Sequence, residues 1–263
     1  MKIEGRTFVV SGGSSGLGLA TVLSILQHGG HAAILDLNPP SSTALPASSP
    51  NTTKFFECDV TSTTSITTAV AALTSWTATT GFPLGGIVPA AGIGLPGLIL
   101  DKSGTTPLPL SSLDLVLNVN LRGTLDLVRQ VLPHLAASPP HGPDGERGVV
   151  VMVASAAAFE GQMGQVAYAA SKGAVAAMTL PMARDLSRHG IRVVTIAPSM
   201  FDSAMTAAMS DKVRAGLQKA MEFPARAGRP DEFASLVVQS IENAMLNGVV
   251  IRLDGATRMP SKL

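Results

Sequence analysis

Strand-like and helix-like patterns alternate along this chain, and the alternation restricts its fold more than any other feature. Seven short apolar runs have the length and residue types of buried strands. Parallel strands need crossover connections, so this alternation is typical of a doubly wound α/β sheet. We therefore predict a single α/β domain over residues 1–263 with a seven-stranded parallel sheet. Its strands are expected at 7–11, 31–37, 54–60, 85–92, 148–155, 192–198 and 249–253.

The segments between the strands carry helix formers and two loop-like insertions. Residues 38–53 and 139–147 are rich in loop-forming residues and are interpreted as surface loops within one domain. A short helical pair is expected after the sixth strand. The longer helices are predicted at 16–29, 65–79, 113–135, 164–186 and 231–246.

The charge balance and the cysteine content narrow the classes of partner. The chain has 19 Lys plus Arg against 18 Asp plus Glu, so nothing favours nucleic acid or an anionic membrane surface, and a small molecule is the expected partner. The apolar runs are too short for a membrane span. The single cysteine, Cys58, excludes an internal disulfide framework and is compatible with a reducing compartment. We predict no metal site.

The two ends of the chain bear on targeting. Only six residues precede the first predicted strand, so we expect no signal or transit peptide there. The last residues, Ser261, Lys262 and Leu263, form the tripeptide that a peroxisomal import receptor recognises. A chance tripeptide or a buried terminus is the alternative. We predict a peroxisomal location.

A glycine-rich turn follows the first strand and opens the first helix. Gly12, Gly16 and Gly18 stand where the chain must turn and where a phosphate can approach the backbone. The spacing differs from the more common G-x-G-x-x-G, but the position between strand and helix indicates a dinucleotide site.

Asp36 points to the kind of dinucleotide. It closes the second strand, eighteen residues after Gly18, where a carboxylate can accept hydrogen bonds from the adenosine ribose. The carboxylate would repel a 2′-phosphate, and no Arg or Lys in the turn or directly after Asp36 would balance that charge. The prediction is NAD rather than NADP. A solvated acid after a strand is the alternative interpretation.

Ser155, Tyr168 and Lys172 together form a proton-transfer set. Tyrosine is a poor acid or base near neutrality unless its phenolate is stabilised. Lys172 lies four positions after Tyr168 in a predicted helix, so the two side chains share one face. Ser155 ends an apolar strand, and its hydroxyl can hold a substrate oxygen beside the phenol.

Four motifs in this order resemble those of the short-chain dehydrogenase/reductase family. They are SGGSSGLG, NVNLRG around Asn120, Ser155 and YAASK, and the resemblance covers nearly the whole chain. Within that family the segments RGVVVMVASAAAFEGQMGQVAYAASKG and LNGVVIRLDGATRM are similar to the type 2 3-hydroxyacyl-CoA dehydrogenases. The resemblance implies a Rossmann-type subunit, a homotetramer, and NAD-linked interconversion of a 3-hydroxyacyl-CoA and a 3-ketoacyl-CoA.

The resemblance also implies residue roles. Tyr168 is expected to be the general acid/base, Lys172 to lower its pKa and hold the nicotinamide ribose, and Ser155 to orient the substrate oxygen. Asn120, rather than its neighbour Asn118, completes the catalytic set by holding a water next to the lysine. The expected cofactor-binding residues are Ser11, Gly12, Ser15, Gly16, Leu17, Gly18, Asp36, Asp59, Val60, Ala91, Gly92, Tyr168, Lys172, Pro198 and Ser203.

Three positions depart from the family pattern. Pro89 replaces an asparagine at the end of the fourth strand and lacks a backbone donor, which puts local stability in doubt. Ser199 follows Pro198 where the family has Gly. Ser203 stands where the family commonly has Thr, and it keeps a hydroxyl there.

The substrate site is expected between segments 93–112 and 159–165 and a lid at about 199–224. Gln162, Gln165 and Met200 are the predicted substrate contacts. Methionines in the lid form either an adaptable wall or ordinary core, and its basic residues either meet CoA phosphates or lie on a solvated helix face. These residues are Met200, Met205, Met209, Met221, Lys212, Arg214 and Lys219.

The predicted function is an NAD-dependent oxidoreductase of peroxisomal fatty-acid oxidation that acts on an acyl-CoA. One alternative is a peroxisomal short-chain dehydrogenase of specialised metabolism that acts on another alcohol, ketone or aldehyde. A non-catalytic, NAD-bound scaffold or sensor is an alternative of a different class. The intact catalytic set counts against the scaffold.

Overall fold

The computed structural model of the 263-residue chain describes residues 1–46, 52–203, 206, 214, 216–217 and 220–258. The seven strands of this part of the chain form one parallel sheet in the order β3-β2-β1-β4-β5-β6-β7, which confirms the predicted fold class. The strands are β1 Thr7–Ser11, β2 His31–Asp36, β3 Thr53–Glu57, β4 Leu84–Pro89, β5 Gly148–Val153, β6 Ile191–Pro198 and β7 Val249–Leu253.

In the described ranges, six α-helices connect these strands. They are α1 Gly16–Gln27, α2 Thr63–Thr80, α3 Leu110–Leu117, α4 Thr124–Ala137, α5 Val166–Leu186 and α6 Pro230–Glu242. The helix predicted at 113–135 is present without a break, but it is not α-helical throughout. A π-helical segment, Asn118–Gly123, lies between α3 and α4. Such segments occur often at functional sites, and this one contains Asn120.

Helices cover both faces of the sheet, and the strands bury side chains on both. Along β5, Val150 and Met152 pack with residues of α2, α4 and α5, whereas Val149 and Val151 pack with residues of α1 and α6. Alternate side chains of a strand point to opposite faces, so a strand buried on both sides is a continuous apolar run. This is why the central strands were visible in the sequence.

The strand order places the candidate site. The chain runs outward from β1 to β2 and β3 and then returns to the other side of β1 as β4. In open α/β sheets, ligands bind beyond the carboxyl ends of the strands at such a reversal. The carboxyl ends of β1 and β4 here carry the glycine-rich turn and the segment from Ala90 to Gly92.

Pro89 does not interrupt the sheet. β4 pairs with β1 through Pro89, whereas its pairing with β5 is limited to Gly86 with Val149 and Ile87 with Val150. Proline has no N–H to donate, and Pro89 lies beyond the last β5 pair. The missing backbone donor therefore affects only the end of the strand.

Candidate active site

A cavity of about 420 Å³ opens at the carboxyl ends of the strands, next to the strand-order reversal. Most of the residues predicted from the sequence to bind the cofactor or react are on its wall. Those that line it are Gly12, Ser15, Gly16, Leu17, Gly18, Asp36, Asp59, Val60, Ala91, Gly92, Ser155, Tyr168, Lys172, Pro198 and Ser203.

The glycine-rich turn has the geometry that a diphosphate requires. Gly12 has a φ of +65°, and a Cβ there would lie 2.9 Å from the backbone of Ala91. Gly16 also has a positive φ, but among the described residues a Cβ there would meet only Ser203 Cβ, at 3.5 Å, so the backbone is open to the cavity. Ser15 makes no side-chain cap, which leaves first-turn N–H groups of α1 available for an anion. The residues present therefore fit a dinucleotide.

Backbone donors hold the Asp36 carboxylate in place at the end of β2. Its Oδ2 accepts a hydrogen bond of 3.1 Å from the Ser14 N–H, and its Oδ1 accepts one of 2.8 Å from the Leu37 N–H. A carboxylate has about four acceptor positions, so both oxygens can still accept from ribose hydroxyls. Leu37 and Asn38, which follow Asp36, carry no positive charge.

Asp59 and Val60, two of the predicted cofactor-binding residues, form part of the cavity wall just after β3. The Asp59 Oδ1 accepts hydrogen bonds from the Thr61 N–H at 2.8 Å and the Thr61 hydroxyl at 2.7 Å. A Cβ at Gly123, the last residue of the π-helical segment, would lie 2.7 Å from the Val60 carbonyl oxygen. The close contact joins this wall to the segment that carries Asn120.

Ser155, Tyr168 and Lys172 meet at one side of the cavity. Tyr168 lies in the first turn of α5 with Lys172 one turn later, and the Lys172 Nζ is 5.9 Å from the centroid of the Tyr168 ring. Ser155 follows the end of β5, where its Oγ caps a short 3-10 turn by accepting from the Ala157 N–H at 3.2 Å. The three side chains predicted to share a site therefore do so.

Burial changes the acid–base properties of this set. Loss of water raises the pKa of Tyr168, and a hydrogen bond with Ser155 only partly opposes that rise. Burial lowers the pKa of Lys172 from 10.5 to about 8. The sequence analysis predicts that Lys172 lowers the pKa of Tyr168. Without cofactor or substrate, the pKa of Tyr168 is instead raised, because desolvation is the largest effect on it.

Asn120 lies behind the cavity wall and links Ile93 to α5 through hydrogen bonds. It is fully buried, its Oδ1 accepts from the Ile93 N–H at 2.8 Å, and its Nδ2 donates to the Ile93 carbonyl at 2.9 Å and to the Ser171 Oγ at 3.1 Å. Ser171 in turn donates to the Tyr168 carbonyl at 2.7 Å. Asn118 is exposed, so Asn120 is the asparagine that belongs to the site.

Some predicted residues lie away from the cavity wall. The Ser11 hydroxyl accepts from the Ala91 N–H at 3.2 Å and thereby holds the ends of β1 and β4 together. Gln162 is buried, and the Gln165 Oε1 accepts from its backbone N–H at 3.0 Å. Met200 packs in a small apolar cluster that includes Leu217, Met221 and Ala227. These contacts are internal to the protein.

Several residues of the wall were not predicted as site residues. Ile93, Ser199, Phe201 and Thr206 belong to segments predicted to build the substrate site, whereas most of the others lie next to predicted residues and had no other signal. Cys58 is the one thiol among them, and burial raises its pKa to about 11, so the thiol stays neutral. The additional lining residues include Leu35, Leu37, Cys58, Thr61, Ala90, Ile93, Val119, Val153, Ala154, Ser199, Phe201 and Thr206.

Part of the predicted lid and the terminal tripeptide fall outside the described residues. They are Met205, Met209, Lys212, Lys219, Ser261, Lys262 and Leu263. Within residues 1–46, 52–203, 206, 214, 216–217 and 220–258, no helix is long and apolar enough to cross a membrane. The same part of the chain contains no group of three or more His, Cys, Asp or Glu side chains arranged to bind a metal ion.

Comparison with known proteins identifies the family. A short chain dehydrogenase model matches residues 6–214. The human 3-hydroxyacyl-CoA dehydrogenase type-2 is 42% identical over 98% of this chain and 97% of its own length, and the ipsdienol dehydrogenase of Ips pini is 31% identical over 98% and 99%. The crystal structure of 3-hydroxyacyl-CoA dehydrogenase type-2 from Mycobacterium avium superimposes with a TM-score of 0.89 at 36% identity and covers all of both chains. This chain is therefore a member of the short-chain dehydrogenase family and an oxidoreductase.

Proposed function

We propose that the protein is an NAD-dependent dehydrogenase that interconverts 3-hydroxyacyl-CoA and 3-ketoacyl-CoA. The observation that carries the proposal is the arrangement of Ser155, Tyr168 and Lys172 on the wall of the cavity that the glycine-rich turn and Asp36 also line. A proton-transfer set beside a dinucleotide cradle is suited to removing a hydroxyl proton while a hydride leaves the same carbon.

The protein supplies the proton chemistry. Tyr168 takes the proton from the substrate hydroxyl during oxidation and returns it to the ketone oxygen during reduction. Ser155 donates to that oxygen and orients it, and the Lys172 ammonium favours the ionised form of the phenol. Bound NAD supplies the hydride acceptor and a positively charged ring. The glycine-rich turn and the first turn of α1 would hold its diphosphate.

The choice of NAD over NADP rests on Asp36. The ribose hydroxyls of NAD can donate to its carboxylate, whereas the 2′-phosphate of NADP would bring a second negative charge beside it. The carboxylate is fixed by the Ser14 and Leu37 N–H groups and cannot easily turn away.

The substrate class is supported by the pattern of similarity. Identity to the human 3-hydroxyacyl-CoA dehydrogenase type-2 is 42%, whereas identity to the ipsdienol dehydrogenase is 31%. Both figures apply to nearly full-length matches, so the difference is not a matter of coverage. An acyl-CoA is the substrate we infer.

The experiment that tests the substrate class compares ketones with NADH. The purified protein is assayed with acetoacetyl-CoA, longer 3-ketoacyl-CoAs, and ketones of similar size without the thioester. Turnover of the thioesters supports the proposal. Turnover confined to ketones without CoA would support the dehydrogenase of specialised metabolism instead.

The terminal Ser261, Lys262 and Leu263 support a peroxisomal location through an import receptor. Peroxisomal fatty-acid oxidation requires the proposed reaction, so the two inferences agree. Untagged full-length protein and a variant without Leu263 would be localised by immunofluorescence and cell fractionation. Import of the full chain and loss of import in the variant are expected, and identical localisation of both would contradict the targeting proposal.

We also infer a homotetramer. Exposed apolar side chains on α3 and α4 support it, because Leu115 and Leu125 are 47% and 41% exposed in the single chain. Analytical ultracentrifugation measures the assembly directly, and a monomer at micromolar concentration would contradict it.

A further inference from the structure

The hydroxyl of Ser199 is buried without a hydrogen-bond partner. Ser199 directly follows β6, and its backbone N–H donates to the Leu253 carbonyl at 3.1 Å. Within the described ranges, its Oγ is the only buried serine or threonine hydroxyl that bonds to nothing. An unpaired buried hydroxyl costs free energy in the folded protein. A ligand that hydrogen-bonds to it would remove this cost, so the position is a candidate ligand contact.

Ser199 lies between two cavities. Together with Phe201 it lines the main cavity and a second cavity of about 270 Å³. The charged side chains of the second cavity are already paired. Arg226 and Glu232 bind each other at 2.6 and 2.9 Å, and the Asp254 carboxylate accepts from Arg252 and from the Ala256 N–H. The main cavity is the side on which a polar ligand is expected.

Rotation of the Ser199 hydroxyl towards the main cavity breaks no hydrogen bond. Serine has three staggered χ1 rotamers, and a rotation between them replaces one well with another. Most buried hydroxyls would lose a hydrogen bond on rotating. Ser199 loses none and gains one if a ligand group meets it, so ligand binding removes the unpaired hydroxyl from the interior.

We propose that Ser199 is an additional cofactor-binding residue whose hydroxyl bonds the carboxamide of the nicotinamide. The inference rests on the proposed use of NAD. Tyr168 and Lys172 occupy the side of the cavity that serves the substrate oxygen and the ribose, whereas Pro198, Ser199 and Ser203 form the wall beyond β6. The carboxamide has both an acceptor and donors, and a hydroxyl can pair with either.

The test measures binding of two ligands without any substrate. NADH and ADP-ribose, which lacks the nicotinamide, are titrated into the wild type and into Ser199→Ala by fluorescence and calorimetry. We expect Ser199→Ala to weaken NADH binding about 3- to 10-fold and to leave ADP-ribose binding unchanged. The thermal midpoint of the variant by itself should equal or exceed that of the wild type, because the substitution removes an unpaired hydroxyl.

Ser240→Ala is the matched control. Its hydroxyl is buried too but donates to the Leu236 carbonyl at 2.8 Å, and Ser240 lines neither cavity. This variant should bind NADH like the wild type. Equal NADH affinity of Ser199→Ala and the wild type would overturn the inference, and so would an equal loss for NADH and ADP-ribose. A wild type that binds no NADH would overturn the proposed cofactor itself, so the two failures are distinguishable.

Discussion

The Lys172 Nζ donates a hydrogen bond of 2.8 Å to the carbonyl oxygen of Val153. Val153 is the last residue of β5, and Ser155 follows it two residues later. One strand end therefore positions both the ammonium and the hydroxyl of the active site. The arrangement places a lysine that is only 6% exposed next to Tyr168, and the burial has consequences that can be measured.

The buried Lys172 should make stability depend on pH. Its pKa is about 8 in the folded chain against 10.5 in the unfolded chain, so between these values the unfolded chain binds more protons and stability rises with pH. We expect the contribution of Lys172 to the free energy of unfolding to rise by about 3 kcal/mol across this window. The raised pKa of Tyr168 acts in the opposite direction above pH 10 and has to be removed from the comparison.

The measurement therefore uses a Tyr168→Phe background. Urea unfolding of Tyr168→Phe and of Tyr168→Phe/Lys172→Met is followed from pH 7 to 10.5 under matched buffers. The lysine-containing variant should gain stability relative to the methionine variant as the pH rises through 8. If the free energy of unfolding changed with pH in the same way for the two proteins, burial would not disfavour the charged form of Lys172.

Asn120 should contribute to stability as well as to the site. Asn120→Ala leaves the Ile93 N–H and carbonyl without their side-chain partner, and we expect the free energy of unfolding to fall by about 2 kcal/mol. Asn118→Ala is the control two residues earlier, where the side chain is exposed and the change should stay within about 0.5 kcal/mol. Equal losses in the two variants, measured by urea unfolding, would refute this role of Asn120.

Asp36 should determine the cofactor preference. Asp36→Asn removes the negative charge with little change in volume, so NADH binding should weaken about 10-fold and the preference for NADH over NADPH should shrink. Asp114→Asn removes an exposed carboxylate of α3 and should change neither affinity. Fluorescence titration with both dinucleotides checks this. An unchanged ratio of the two affinities in Asp36→Asn would show that the carboxylate does not discriminate between the ribose of NADH and the phosphorylated ribose of NADPH.

The sequence predicted those features that depend on local pattern. β5 is buried on both faces and is therefore a continuous apolar run, and β6 departs from one only at Arg192 and Thr195. The glycine-rich turn was visible because Gly12 and Gly16 must adopt a positive φ, a requirement that few other residues meet. Spacing along one helix was enough to pair Tyr168 with Lys172.

Features set by contacts between distant segments were not predictable in this way. The π-helical segment lies within the helix predicted at 113–135, where Asn120 bonds Ile93, which is 27 positions away in the sequence. The direction of the pKa shift of Tyr168 depends on burial by other elements rather than on the nearby lysine.

Turnover of acetoacetyl-CoA with NADH, compared between the wild type and Tyr168→Phe, tests the central claim most directly. Tyr168→Phe keeps the ring and removes only the ionisable hydroxyl. We predict NADH oxidation by the wild type, a rate about 10²- to 10⁴-fold lower in the variant, and similar NADH affinity for both. Equal rates in the two proteins would contradict the proposed role of Tyr168, and a wild type that binds NADH but leaves every 3-ketoacyl-CoA unreduced would contradict the proposed substrate.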